Sequence, residues 1–246
     1  MSDNEVWRSL IDTTEFAEAK LDGTKHVRMA LTGPSGAGKT LTALKIAAVL
    51  GTKVAVIDTE DESAELFVNS VGVPKPYYVK PLKKFQVDNY IALMNIAAEK
   101  GHDVCIVDSL TPSWKKKNGI LESVGRDIRN WDTIGNPQYD ALMDCIKSFR
   151  TRMHIICTLR SDMEYALEPD PATGKLRVRK MGMRSEHRKD TPYEFDLFGS
   201  LDQYHNLTFT EADGKQRCEA LEGKTFEKPW AELGLIIKAW LSGKDT

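Results

Sequence analysis

Short continuous apolar runs alternate along the chain with segments whose apolar residues recur at helical spacing. His26-Val-Arg-Met-Ala-Leu-Thr32 and Lys53-Val-Ala-Val-Ile-Asp-Thr-Glu60 are strand-like runs, as are Asp103-Val-Cys-Ile-Val-Asp-Ser109 and His154-Ile-Ile-Cys-Thr-Leu-Arg160. Tyr77–Lys80 is a shorter one. Between them, Leu41–Leu50 reads as a helix closed by Gly51. Val87, Ile91, Met94 and Ala98 mark a second helix ending at Gly101, and Tyr139, Leu142, Met143, Ile146 and Phe149 mark a third. Asp61–Ser70 reads as a short helix broken by Val71-Gly-Val-Pro-Lys-Pro76. Strand and helix thus alternate from residue 27 to residue 160. That order predicts an α/β fold with a parallel sheet wrapped on both faces, and it places a ligand at the carboxyl ends of the strands.

Past residue 160 the pattern changes. Met163–Leu167 and Lys175–Met181 flank a turn-rich Pro169-Asp-Pro-Ala-Thr-Gly174, which predicts a hairpin. Tyr193–Leu201 and Asn206–Glu211 read as two late strands. Trp230, Leu233, Ile236, Ile237, Trp240 and Leu241 form an amphipathic C-terminal helix after Pro229. Leu110–Pro137 shows little periodicity and reads as a long loop, functional or mobile. Residues 1–25 form an arm, with Trp7, Leu10, Ile11, Phe16 and Ala17 suited to a short helix; residues 26–246 read as one domain.

Between the first strand and the first helix stands Gly33-Pro-Ser-Gly-Ala-Gly-Lys-Thr40, with the spacing G-x-x-x-x-G-K-[ST] of a phosphate-binding P-loop. Gly33, Gly36 and Gly38 let the backbone wrap a polyphosphate with its N–H groups inward, with Pro34, Ser35, Ala37 and Leu41 completing the turn. The helix beginning near Lys39 turns its positive dipole end to the same phosphates. Lys39 is placed for the β- and γ-phosphates, and the Thr40 hydroxyl for Mg²⁺. Asp108, delivered by an apolar strand, is the matching Walker B carboxylate for Mg²⁺. The expected cofactors are therefore ATP and Mg²⁺. Hydrolysis also needs a group that activates water. Many P-loop ATPases place a Glu directly after the Walker B Asp, but here that position is Ser109. Glu60, at the end of the neighbouring strand, is available instead, with Asp61 and Glu62 as fallbacks. Thr158 and Arg160, at the end of the strand after Asp108, occupy a place suited to sensing the terminal phosphate.

Composition narrows this little. Of 246 residues, 41% are hydrophobic and 28% charged, with a net charge of −2, so any surface for nucleic acid must be local. The four cysteines hold no C-x-x-C pair, and Cys105 and Cys157 fall inside strands, which makes them buried thiols. No signal peptide or membrane span is evident, so a cytoplasmic protein with no membrane partner is expected.

Leu31–Thr40, Val56-Ile-Asp-Thr-Glu60, Ile106-Val-Asp-Ser109, Thr158-Leu-Arg-Ser161 with Glu164-Tyr165, Arg188-Lys-Asp190 and Tyr193-Glu-Phe-Asp196 occur in this order. Together, over roughly residues 25–210, they resemble the phage-encoded RecA-like ATPases of the single-strand annealing (Sak-type) group. The resemblance implies a RecA-like core with late antiparallel strands and a C-terminal helix. It also implies Glu60 as the water-activating base and ATP hydrolysis coupled to single-stranded DNA in phage-type recombination. A homo-oligomer, ring or filament, working beside a single-strand-binding protein in a bacterial host cell goes with it. In such proteins two loops face the polymer axis, here 110–137 and 162–190. The first carries Lys115, Lys116, Lys117, Arg126 and Arg129, with Trp114 and Trp131 for base stacking. The resemblance further implies cations acting on a neighbour's nucleotide, with Arg188 and Lys189 chosen because they precede a strand expected beside the subunit edge. Among the second loop's other cations are Arg177, Arg179, Lys180 and Arg184. Two alternatives stay open on the residues alone: a P-loop phosphotransferase acting on a small molecule, and a nucleotide-switched assembly protein.

Overall fold

A computed structural model describes residues 18–169, 176–210, 216–228 and 230–244 of the chain. The short helix expected within residues 1–17 and the hairpin tip at 170–175 lie outside the described residues. Six strands form the parallel part of one sheet: β1 (Arg28–Gly33), β2 (Val54–Asp58), β3 (Tyr77–Pro81), β4 (Val104–Asp108), the first half of β5 (His154–Pro169) and β7 (Leu197–Leu201). The order is β3-β2-β4-β5-β1-β7, continued by the short antiparallel strands β8 (Asn206–Thr208) and β9 (Thr225–Glu227). The expected α/β architecture is observed, including the late antiparallel strands and the C-terminal helix.

The sheet is covered on both faces because its strands are apolar on both faces. Val54, Val56, Val104, Ile106, Met29 and Leu31 pack into one core with helix α1 (Lys39–Leu50) and, further along the chain, the C-terminal helix Ala231–Leu241. Their alternating neighbours Ala55, Ile57, Cys105, Val107 and Ala30 pack into the other, against α2 (Val87–Glu99). At about 1.5–3 kcal/mol for each large apolar side chain, the two cores are the main favourable term in this fold. α1 and the C-terminal helix approach closely at Gly234, where a Cβ would stand 2.7 Å from Val49 Cβ. Gly234→Ala would force these helices apart. The buried thiols of Cys105 and Cys157 are free, as expected.

The structure corrects three expectations. Leu110–Pro137 is folded rather than an open loop. It forms α3 (Thr111–Lys115), α4 (Ile120–Val124) and a π-helical turn (Trp131–Gly135) that leads into α5 (Asn136–Ser148). Elements of five residues are too short to display a period. Their buried residues Leu110, Trp114, Ile120 and Val124 anchor them to the second core. The late strand expected over Tyr193–Leu201 is shorter: it is β7, between β1 and β8 in the sheet. It starts at Leu197, after a 3-10 turn over Thr191–Glu194. The helix expected over Asp61–Ser70 is a 3-10 turn, Ser63–Phe67; Asp61 and Glu62 before it have φ of 55° and 66°, which interrupts helical geometry. The expected hairpin is observed. β5 runs unbroken for 16 residues from the core into it, pairing with β6 (Leu176–Ser185).

Candidate nucleotide site

The P-loop joins β1 to α1 at the carboxyl edge of the sheet. Gly36 and Gly38 take φ of 80° and 86°, in the left-handed region that favours glycine. A Cβ on Gly38 would also stand 3.1 Å from His205 Nδ1. That nitrogen lies 3.1 Å from the Ala37 carbonyl, so the turn between β7 and β8 braces the loop from behind. Gly33 is tight for another reason: a Cβ there would stand 2.6 Å from the Leu201 carbonyl. The Lys39 ammonium donates to the Gly33 and Pro34 carbonyls, both at 2.8 Å. Burial pulls its pKa down, while Asp108 and Glu60 push it back up.

The Thr40 hydroxyl donates to Asp108 Oδ2 at 2.6 Å. The Thr158 hydroxyl donates to Asp108 Oδ1. Asp108 is 2% exposed, and burial raises its pKa more than the two hydroxyls lower it; Glu60 and Asp58 raise it further. Among the described residues this carboxylate forms no salt bridge; Lys39 and Arg160 act on it only through their charge. Thr158 is fully buried behind Asp108 and holds that carboxylate, rather than facing a terminal phosphate as expected.

Glu60 follows β2 and turns into the same cleft. Ser109 Oγ donates to its Oε1 at 2.7 Å; Arg160 donates to Oε1 through Nε at 2.9 Å and to Oε2 through Nη2. Burial alone would raise the Glu60 carboxyl, but Arg160 and Ser109 override it and hold it below the usual range. Asp61 and Glu62 line a different cleft, of about 410 Å³, with Asp58 and Pro81. Ser109 takes its place through a lattice between strand ends: its N–H donates to Thr59 Oγ1 at 2.8 Å, and Thr59 Oγ1 donates to its carbonyl at 3.0 Å.

A cleft of about 820 Å³ collects these groups. Ser35, Gly36, Gly38, Lys39, Thr40 and Leu41 line one end and Arg160 with Glu186 the other, with Glu60 and Asp108 also in its wall. Gly33, Pro34 and Ala37 build the loop without lining the cleft. The residues fit the expected group. Thr40 and Asp108 supply hard oxygens of the kind Mg²⁺ prefers, and the Asp108 carboxylate is buried against hydroxyls rather than in an ion pair. Lys39 and the helix N-terminus supply the donors a polyphosphate needs. When bound, Mg²⁺ and ATP would bring a polarised terminal phosphate to this edge; the chain would supply its own amides, Lys39 and Glu60 around it.

The expected nucleic-acid residues are dispersed in role. Lys115 pairs with Glu186 at 3.4 Å, and Arg129 with Asp127 at 2.7 Å. Lys116, Lys117 and Arg126 are exposed. Trp114 is no stacking platform: it is 8% exposed, stacks on His187 at 5.2 Å and contacts Trp131 at 5.8 Å. The stretch carrying His187 after the hairpin is thereby pinned to α3. Neither Arg188 nor Lys189 lines the cleft. Arg188 pairs with Asp190 at 2.9 Å, donates to Asn136 at 3.2 Å and lies over the Tyr139 ring at 4.5 Å; Lys189 is exposed. The side chains of Arg177, Arg179 and Lys180 lie outside the described ones.

Three features escaped the sequence reading. Ser109 marked a missing glutamate but gave no sign of a contact with Glu60. His205 braces a loop 168 residues away, which no local pattern can announce. Asp196, fully buried, takes Arg28 Nη2 at 2.7 Å and Nε at 3.1 Å, Arg217 Nε at 3.2 Å and Arg150 Nη2.

A family model described as an AAA domain matches residues 25–225. Similar solved structures include the RadB recombinase, at 16% identity and a TM-score of 0.48 over 83% of this chain and 89% of that one. Another is an ATPase from the type III secretion system of pathogenic bacteria, at 14% identity and a TM-score of 0.44 over 72% of this chain and 52% of that one. A search of curated proteins gives no match. The matched span takes in the P-loop, Glu60, Asp108 and the strands that carry them, and the chain belongs to the AAA domain family.

Proposed function

We propose that this protein is a Mg²⁺-dependent ATPase that acts on single-stranded DNA, in phage-type recombination or annealing. The observation that carries the reading is the convergence of Lys39, Thr40, Glu60 and Asp108 on one cleft at the carboxyl edge of the sheet. Lys39 and the loop amides bind the phosphates, Thr40 and Asp108 hold Mg²⁺, and Glu60 accepts the proton of the attacking water. Leu66 and Phe67 add apolar wall at the same cleft for a nucleobase. The DNA reading rests on the exposed Lys116, Lys117 and Arg126, with Lys115 and Arg129 able to exchange a carboxylate for a phosphate. Without aromatic platforms from Trp114, contact with the backbone outweighs base stacking.

Arg188 and Lys189 act on a neighbour's nucleotide in a homo-oligomer, and a single-strand-binding protein works beside it in a bacterial cytoplasm. Among the described residues no helix is long and apolar enough to cross a membrane. The test is steady-state ATP hydrolysis with Mg²⁺, with and without single-stranded DNA. Hydrolysis that rises with DNA in wild type and vanishes in Lys39→Ala is the expected result. Hydrolysis indifferent to DNA would sink the nucleic-acid part, and none under any condition would sink the enzyme.

A further inference from the structure

Among the described residues the cleft holds two cations, Lys39 and Arg160, and Arg160 is engaged by a carboxylate. Arg160 meets Glu60 with two donors, one on each carboxylate oxygen. With Ser109 Oγ also on Oε1, three charge-seeking donors occupy the carboxylate meant to activate water. A carboxylate so engaged is a poor base. Burial alone would raise its proton affinity, and Arg160 and Ser109 reverse that.

The backbone of Arg160 is fixed while its side chain has room. Its N–H donates to Thr111 Oγ1 at 2.8 Å, its carbonyl accepts from the Glu186 N–H at 2.8 Å, and it stands in register with Gly33, the first P-loop residue. Its side chain is 40% exposed, against 25% for that of Glu60. Both line the cleft that Lys39 and Thr40 line. A triphosphate entering there brings more negative charge than a carboxylate and several oxygens that accept a guanidinium fork. A diphosphate lacks the terminal group.

We infer that Arg160 is shared between two anions: it holds Glu60 while the cleft lacks a terminal phosphate, and passes to that phosphate when a triphosphate binds, which frees Glu60 at the same moment. Arg160 is then a positioning residue for the base and a specificity residue for triphosphate over diphosphate. The inference rests on the reading of this cleft as an ATP site with Glu60 as base.

The test is equilibrium binding and needs no turnover. ADP and adenylyl imidodiphosphate, both with Mg²⁺, are titrated into wild type, Glu60→Gln, Arg160→Gln and the double variant. Relieving Arg160 of its carboxylate should strengthen the preference for the triphosphate analogue over ADP about tenfold in Glu60→Gln, the scale of one charge-assisted hydrogen bond. Arg160→Gln should lose preference by a similar factor. In the double variant the gain from Glu60→Gln should be absent, because no arginine remains to be released. A gain that persists without Arg160 would mean that removing a negative charge suffices, and would overturn the inference. So would an unchanged preference in Arg160→Gln. Arg160→Lys keeps the charge with a single contact and should show an intermediate preference; it serves if Arg160→Gln does not fold. Wild type that binds neither nucleotide would defeat the ATP reading itself, whereas four proteins with equal preference would defeat this inference alone.

Discussion

Two aspartates sit at opposite ends of the sheet, and both are almost completely buried. Asp108 closes β4 at the carboxyl edge, 2% exposed, and receives two hydroxyls. Asp196 precedes β7 at the other edge, is fully buried, and receives three arginines, Arg28, Arg150 and Arg217. Burial would raise both carboxyls. At Asp196 the hydrogen bonds and charge of Arg28, with Arg150 behind it, win and hold the group below the usual range. At Asp108 burial wins and the group is raised. A buried charge is tolerated when it is paired. Asp196 is a completed structural joint that ties the starts of β1 and β7 together. Asp108 is incomplete, and on the proposal above Mg²⁺ completes it.

The largest way to break this comparison is to empty the completed joint. Asp196→Ala leaves three arginines converging on nothing, and should cost about 3–5 kcal/mol of stability in urea denaturation. Asp108→Asn removes a charge the fold already disfavours. It should change stability of the nucleotide-free protein by no more than about 1 kcal/mol, while Mg²⁺-dependent nucleotide binding is lost. If Asp108→Asn is the more damaging to the free protein, the roles of the two carboxylates have been exchanged.

Acid sharpens the contrast, with opposite signs at the two ends. The depressed carboxyl of Asp196 contributes stability above the ordinary carboxylate pKa of about 3.9, and that contribution is lost as pH falls below this value through its folded-state pKa. The raised carboxyl of Asp108 does the reverse: it detracts as pH rises past about 3.9 through its folded-state pKa, and acid removes the penalty. Urea midpoints measured from pH 7 downward should therefore fall less steeply in Asp196→Asn than in wild type, and more steeply in Asp108→Asn. Parallel curves for all three proteins would contradict both assignments.

Much of this was legible in the sequence, and the reasons divide along the same line. The P-loop, β2 and β4 are local patterns, with apolar runs and glycines read within about ten residues of one another. The strand-to-helix alternation through residue 160 set the sheet. What stayed hidden depends on contacts distant in sequence. Arg28 and Asp196 are 168 residues apart, and Arg160 and Glu60 are 100 apart. Neither pair leaves a periodic trace. The stretch 110–137 misled because charge and tryptophan in one aperiodic segment resemble an exposed binding loop. In fact Trp114 is core, and its helix is one turn too short to show its pattern.

The smallest expected effect again sets paired charge against unpaired. Lys116 and Lys117 are exposed with no ion pair among the described residues, whereas Lys115 has Glu186. Replacing Lys116 and Lys117 by alanine should lower the slope of log affinity for single-stranded DNA against log salt by about 1.4, at about 0.7 per phosphate contact. Lys115→Ala should lower it less, since its charge is already partly spent. Equal slopes would move the DNA surface away from α3.

The most direct measurement is the thermal midpoint of wild type and Asp108→Asn with adenylyl imidodiphosphate, before and after adding Mg²⁺. A ligand at one hundred times its dissociation constant stabilises by about 2.7 kcal/mol, enough to move a midpoint by several degrees. Wild type should gain a clear increment on adding Mg²⁺, and Asp108→Asn should gain none. The same Mg²⁺ increment in both proteins would show that the buried carboxylate at the end of β4 does not meet the metal.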